Sequence, residues 1–124
     1  MMLTCYCKPK HEEFKFGFVL SCKNRRDSVP GAPIETLWEA DPNLCNPNGT
    51  LIITYKDGCN KELEVYLNDN SDPRDPADLK IIRGQTHAIT LNTLKRVGVR
   101  CKFPHGCDSK GRCCGTVCIS LNYT

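Results

Sequence analysis

The sequence predicts an all-β fold, a disulfide-rich β-sandwich or barrel of about seven short strands with long irregular loops. Three observations point there. Apolar residues recur at alternate positions in several short runs, the period of a half-buried strand. Gly, Pro, Asn and Asp cluster between those runs and break them. Ten cysteines in 124 residues supply cross-links, at a density of about 8% that is close to the level of a disulfide scaffold. The length fits a single domain, residues 1–124.

The first strand signal is Phe14, Phe16, Phe18, Leu20 and Cys22 on one face, with Lys15, Gly17 and Ser21 opposite and Val19 the exception. Residues 24–49 read as irregular, interrupted by Pro30, Pro33, Pro42 and Pro47. Within them Ile34–Ala40 is expected to form a short helical turn, since Pro33 suits a first helical position. Its Trp38 would anchor the loop to the core. Leu51, Ile53 and Tyr55 then alternate on one run and Leu63, Val65 and Leu67 on the next. Asp57-Gly58-Cys59-Asn60 between them predicts a hairpin. Residues 68–78, rich in Asp and Pro, read as a solvated loop rather than a calcium site, because neither the spacing nor the closing Glu of an EF-hand is present. Leu79–Ile82, His87–Asn92, Val97–Phe103 and Val117–Tyr123 complete the strands, with Arg83-Gly84-Gln85 as a turn.

The cysteines are Cys5, Cys7, Cys22, Cys45, Cys59, Cys101, Cys107, Cys113, Cys114 and Cys118. An even count fits full pairing in an oxidising compartment, so the expected location is secreted or extracellular. Asn48-Gly49-Thr50 and Asn122-Tyr123-Thr124 are N-glycosylation acceptors that point the same way. No apolar signal-peptide core follows Met1-Met2-Leu3-Thr4, which leaves two readings, a mature form with a start Met added or a cytosolic chain whose cysteines need another explanation. No run approaches the roughly 20 apolar residues of a membrane span. A zinc site is the competing account of the crowded tail, with His105, Cys107, Cys113, Cys114 and Cys118 as candidates. Adjacent Cys113 and Cys114 suit bridges to two partners better than one ion, so disulfides are preferred and neither metal nor cofactor is expected.

Charge is uneven. Residues 1–78 carry a balance of −4 and residues 79–124 a balance of +7, within a net charge of +3. Lys95, Arg96, Arg100, Lys102, Lys110 and Arg112 form the basic cluster, with Arg96, Arg100 and Lys102 in phase on one strand. Such a face could meet a polyanion. Nucleic acid is disfavoured, because no aromatics interleave with the charges. The three histidines, His11, His87 and His105, stand in no recognisable nucleophile–base motif. The carboxylate pairs Glu12-Glu13 and Glu62/Glu64 read as surface charge. The chain is therefore not expected to be an enzyme.

Residues 50–118 resemble the opening of thaumatin-like proteins. The similarity lies in Thr50–Tyr55, Cys59 and Leu63–Leu67, in Ile81-Ile82-Arg83-Gly84-Gln85-Thr86-His87-Ala88-Ile89, and in Arg96–Phe103 leading to Asp108-Ser109-Lys110-Gly111-Arg112-Cys113. The cysteine spacing departs from that family, and no glucan-binding residue is carried over. The resemblance implies a compact, secreted β-sandwich. Leu3-Thr4-Cys5-Tyr6-Cys7 also looks like some three-finger receptor ectodomains, a likeness opposed by the cysteine-free run from Asn60 to Arg100. The expected role is a secreted, disulfide-stabilised binding protein of host–microbe defence or effector type, whose partner is an extracellular protein or glycan. The alternatives are a zinc-stabilised intracellular interaction protein and a small secreted toxin or hydrolase.

Overall fold

The computed structural model describes residues 9–21, 34–58, 61–72, 74–101 and 112–124. They form eight strands: β1 (Lys10–Ser21), β2 (Glu35–Glu39), β3 (Asn48–Gly58), β4 (Glu62–Leu67), β5 (Leu79–Ile82), β6 (Thr86–Leu91), β7 (Arg96–Arg100) and β8 (Arg112–Tyr123). No helix appears among the described residues. Two antiparallel four-stranded sheets result, one in the order β1-β8-β3-β6 and the other β2-β7-β4-β5. The all-β sandwich expected from the alternating runs is therefore what forms.

Alternation decides which side chains meet between the sheets. Phe18 and Leu20 of β1, Leu51, Ile53 and Tyr55 of β3, and Val117, Ile119 and Leu121 of β8 are buried from one side. Leu63, Val65 and Leu67 of β4, Ile81 of β5, and Val97 and Val99 of β7 are buried from the other. Phe14 packs on Trp38 with ring centroids 5.6 Å apart, joining the edge strands β1 and β2. Trp38 is thus the anchor its segment was expected to supply. Val19, out of phase in sequence, is 64% exposed.

Two local expectations are corrected. Ile34–Ala40 is not a helical turn, because Glu35–Glu39 is a strand paired with β7. A segment so short cannot sustain a helix alone, and Thr36 and Trp38 favour a pleated surface. The runs 51–55 and 63–67 are not a hairpin either. β3 lies in the first sheet between β8 and β6, whereas β4 lies in the second sheet between β7 and β5. The chain thus changes sheet between β3 and β4.

The strands are also longer than their apolar cores. β8 begins at Arg112, five residues before the alternating run at Val117, and pairs with β1 along its whole length. Gly115 lies in mid-strand, and a Cβ there would come within 1.9 Å of the Thr54 carbonyl oxygen. Its lack of a side chain is what lets β8 lie close to β3. The turn expected at Arg83-Gly84-Gln85 is present. Gly84 adopts φ 89° and the Gln85 amide donates to the Ile82 carbonyl at 2.9 Å.

Cys101, just after β7, and Cys113, at the start of β8, are bonded to each other across the sandwich. Both are buried. Cys45 is also in a disulfide. The outer face of the second sheet holds a buried polar group. Arg100 Nη1 lies 3.7 Å from Glu64 Oε1, and the Tyr66 hydroxyl donates to the same oxygen at 3.3 Å. Burial pushes the Tyr66 phenol above its ordinary range.

Two stability consequences follow from this packing. Ile119→Ala, which empties a fully buried site on β8, is expected to cost about 2–5 kcal/mol in urea unfolding. Replacing both Cys101 and Cys113 by Ser is expected to cost about 2–4 kcal/mol in the same measurement, because the unfolded chain regains the freedom of that loop.

Candidate functional site: the thiol-bearing face of the first sheet

The outward residues of β1, β8, β3 and β6 line up in cross-strand rows. Gly17, Thr116, Thr54 and Thr86 form one, and Lys15, Cys118, Ile52 and Ala88 the next. Glu13, Ser120, Thr50 and Thr90 form a third. At one end Val19, Cys114 and Asp57 share a row, and at the other His11, Asn122 and Asn48. Neighbouring threonines hydrogen-bond across β3 and β6, Thr50 with Thr90 at 2.9 Å and Thr54 with Thr86 at 2.7 Å. Away from β1 this face carries mostly uncharged side chains, Ile52 among them, with Lys56 and Asp57 exposed at one end.

Cys114 and Cys118 sit on this face, half-buried and free of any bridge within the chain. The pleat separates them from Cys113, which points into the core. Val19 and Ile52, 64% and 39% exposed, flank the two thiols in the register. The sequence already placed Cys118 away from the apolar side of its strand. It did not reveal Cys114 as an outward thiol, because strand β8 was expected to start beyond it.

The other candidate residues scatter. Arg96 is half-buried and its Nε donates to Thr36 Oγ1 at 3.0 Å. Arg100 is only 7% exposed. It shares the strand face expected for it but is covered and held beside Glu64, so it presents no charge to a polyanion. Arg112 is exposed at the start of β8. Lys102 and Lys110 lie outside the described residues, as do Cys5, Cys7, Cys22, Cys59, Cys107 and His105. Cys113 is committed to Cys101 and cannot be a zinc thiolate while that bond stands. No cluster of metal-ligating side chains occurs among the described residues. Asn48 and Asn122, the two glycosylation acceptors, stand opposite each other in paired strands. Asn48 Nδ2 donates to the Asn46 carbonyl and Asn122 Oδ1 faces His11 Nδ1, both at 2.8 Å.

A cleft of about 350 Å³ opens at one end of the sandwich, where Glu39, Asp41 and Asp69 meet Lys95 and Arg96. Its lining contains no Cys, Ser, Thr or His. It brings together carboxylates and cations but no thiol, hydroxyl or imidazole side chain. In the acidic loop, Asp72 pairs with Arg74, which holds its carboxyl below the usual range.

Comparison with known proteins separates the remaining readings. No curated protein matches the chain. A solved structure described as "Bacillus endospore appendages form a novel family of disulfide-linked pili" superposes with a TM-score of 0.59. The match has 10% identity and covers 100% of this chain and 98% of that one, a likeness of fold. A decameric BFDV capsid protein gives a TM-score of 0.41 at 11% identity, covering 94% of this chain and 99% of its own, and bears no weight. The family model for Enas, the endospore appendages, matches residues 7–124. This overturns the resemblance to thaumatin-like proteins, which rested on short patterns within residues 50–118. It equally overturns the reading as a host–microbe defence or effector protein that recognises a glycan or foreign protein surface. The chain belongs to the endospore appendage family.

Proposed function

We propose that this chain is a structural subunit of an extracellular spore appendage, which assembles with copies of itself and is held by disulfides between chains. The match of the appendage family over residues 7–124 carries the reading. Its role is mechanical and not catalytic. The whole chain acts as one folded unit in this reading, and its partner is another copy of itself.

Two features of the fold support it. The first is the pair of thiols. Cys114 and Cys118 are half-buried on the outward face of the first sheet, and the buried Cys101–Cys113 bond leaves them free for a second chain. The second is the sheet edges. An unpaired edge strand invites another strand unless it is guarded. β1 carries Lys10, Glu12, Glu13 and Lys15, β2 has an irregular register between Thr36 and Trp38, and β5 has four residues including Lys80. β6, Thr-His-Ala-Ile-Thr-Leu, has no Lys, Arg, Asp, Glu or Pro, and no described strand occupies its free side. It is the least guarded edge among the described strands, and a strand of a second copy would continue the sheet there.

Purified oxidised protein is expected to form fibres by electron microscopy, and a ladder on non-reducing denaturing gels that collapses with dithiothreitol. Cys114→Ser/Cys118→Ser should lose the ladder. Ala88→Lys/Thr90→Lys, which charges the β6 edge, should reduce fibre formation. A wild-type chain that stays monomeric under oxidation, with Cys114 and Cys118 both alkylatable, would overturn the reading. Under graded reduction, alkylation should reach Cys114 and Cys118 before Cys101 and Cys113, as peptide mass spectrometry would show.

A further inference from the structure

We propose that His11 is a pH-dependent clip, which in its doubly protonated form ties the first residues of β1 to the last residues of β8 and on deprotonation lets that strand end loosen. The geometry is a ring with the Asn122 amide oxygen at one nitrogen and the Glu13 carboxylate and Ser120 hydroxyl at the other. Asn122 Oδ1 lies 2.8 Å from Nδ1. Ser120 Oγ lies 3.3 Å and Glu13 Oε1 3.6 Å from Nε2. A neutral imidazole donates from one nitrogen only, whereas the imidazolium donates from both. The charged ring can therefore hold Asn122 and Glu13 at once, whereas the neutral ring that donates to Asn122 can only accept from Ser120 and loses its attraction to Glu13.

The surroundings favour that charge. Glu13 and Lys15 share the outward face of β1 with His11. The β8 residues on that face are Ser120 and Asn122, and the next along their rows on β3 are Thr50 and Asn48, all uncharged. Lys10, Glu12 and Tyr123 project from the opposite side of the same strand pair, where the Tyr123 hydroxyl donates to Glu12. The carboxylate nearest the ring is thus Glu13, and no cation directly faces it among the described residues. The Asn122 hydrogen bond, helped by Glu13, raises the ring above its ordinary value near 6.5.

The sign follows from linkage. A histidine that holds its proton more tightly in the folded chain contributes stability fully below its unfolded value. That contribution is lost as pH rises through the higher folded value. Among the described strands β1 lies at an edge and pairs with β8 alone. Loosening at His11 therefore acts directly on the end of the β1–β8 ladder, where Lys10 pairs with Tyr123. Neutral and mildly alkaline solution would free the entry to β1, and mild acid would hold it.

Histidine C2-hydrogen exchange, read by mass spectrometry on the full chain, gives the His11 midpoint separately from His87 and His105. Amide exchange in peptides covering residues 9–14 and 119–124 reads the strand end, corrected for the intrinsic pH dependence. Wild type is expected to show a midpoint above about 6.5 and several-fold stronger protection at about pH 5.5 than at about pH 8. His11→Gln should remove the pH dependence of protection. Asn122→Ala and Glu13→Gln should each bring the His11 midpoint down. Equal protection at both pH values in wild type, or pH-dependent protection that survives in His11→Gln, would sink the proposal. So would a His11 midpoint unmoved by both Asn122→Ala and Glu13→Gln.

Discussion

The fold depends on β8 being paired on both flanks. This strand hydrogen-bonds to β1 on one side and β3 on the other over nearly all of its twelve residues. Once both neighbours are in register, its two-residue period sorts every side chain. Val117, Ile119 and Leu121 enter the core, while Cys114, Thr116, Cys118 and Ser120 face out. A slip of one residue would exchange those sets and place polar groups between the sheets. Gly115 secures the fit by allowing close approach to Thr54, and the bond from Cys113 to Cys101 ties the first sheet to the second.

Much of this architecture was legible in the sequence because burial on one side of a strand writes a period of two. The inward faces of β1, β3, β4, β7 and β8 could all be read that way, and Val19 could be picked out as the residue that breaks phase. What could not be read is which strand pairs with which. Asp57-Gly58 promised a hairpin on local grounds, but pairing across the chain took β3 to β8 and β6 instead. Strand β2 was missed because its apolar content is small and prolines surround it. Its identity comes from β7, whose free edge it completes.

The functional surface was harder to read, for a related reason. Charge in phase on β7 pointed to an open basic face, yet Arg100 is covered and held beside Glu64. Strand alternation tells which face a residue occupies but not what lies over that face. The thiol face shows the reverse. Cys114 and Cys118 look like members of one dense cysteine cluster when counted along the chain, and only the extension of β8 back to Arg112 puts both on the outside. Of the three cysteines on β8, Cys113 alone is bridged within the chain, to Cys101.

The pleat at Cys113 and Cys114 has a consequence for oxidation. These residues are joined by one peptide bond, yet their sulfurs lie on opposite sides of a sheet, one in the core and one at the surface. A thiolate can attack a disulfide only where it can reach the sulfur in line. Once the strand has formed, Cys114 has no such approach to the bond made by its neighbour. Exchange between Cys114 and the bond of its neighbour is thus hindered by backbone geometry in the folded strand. The Cys101–Cys113 bond can therefore persist in the folded strand while the Cys114 thiol reacts at the surface.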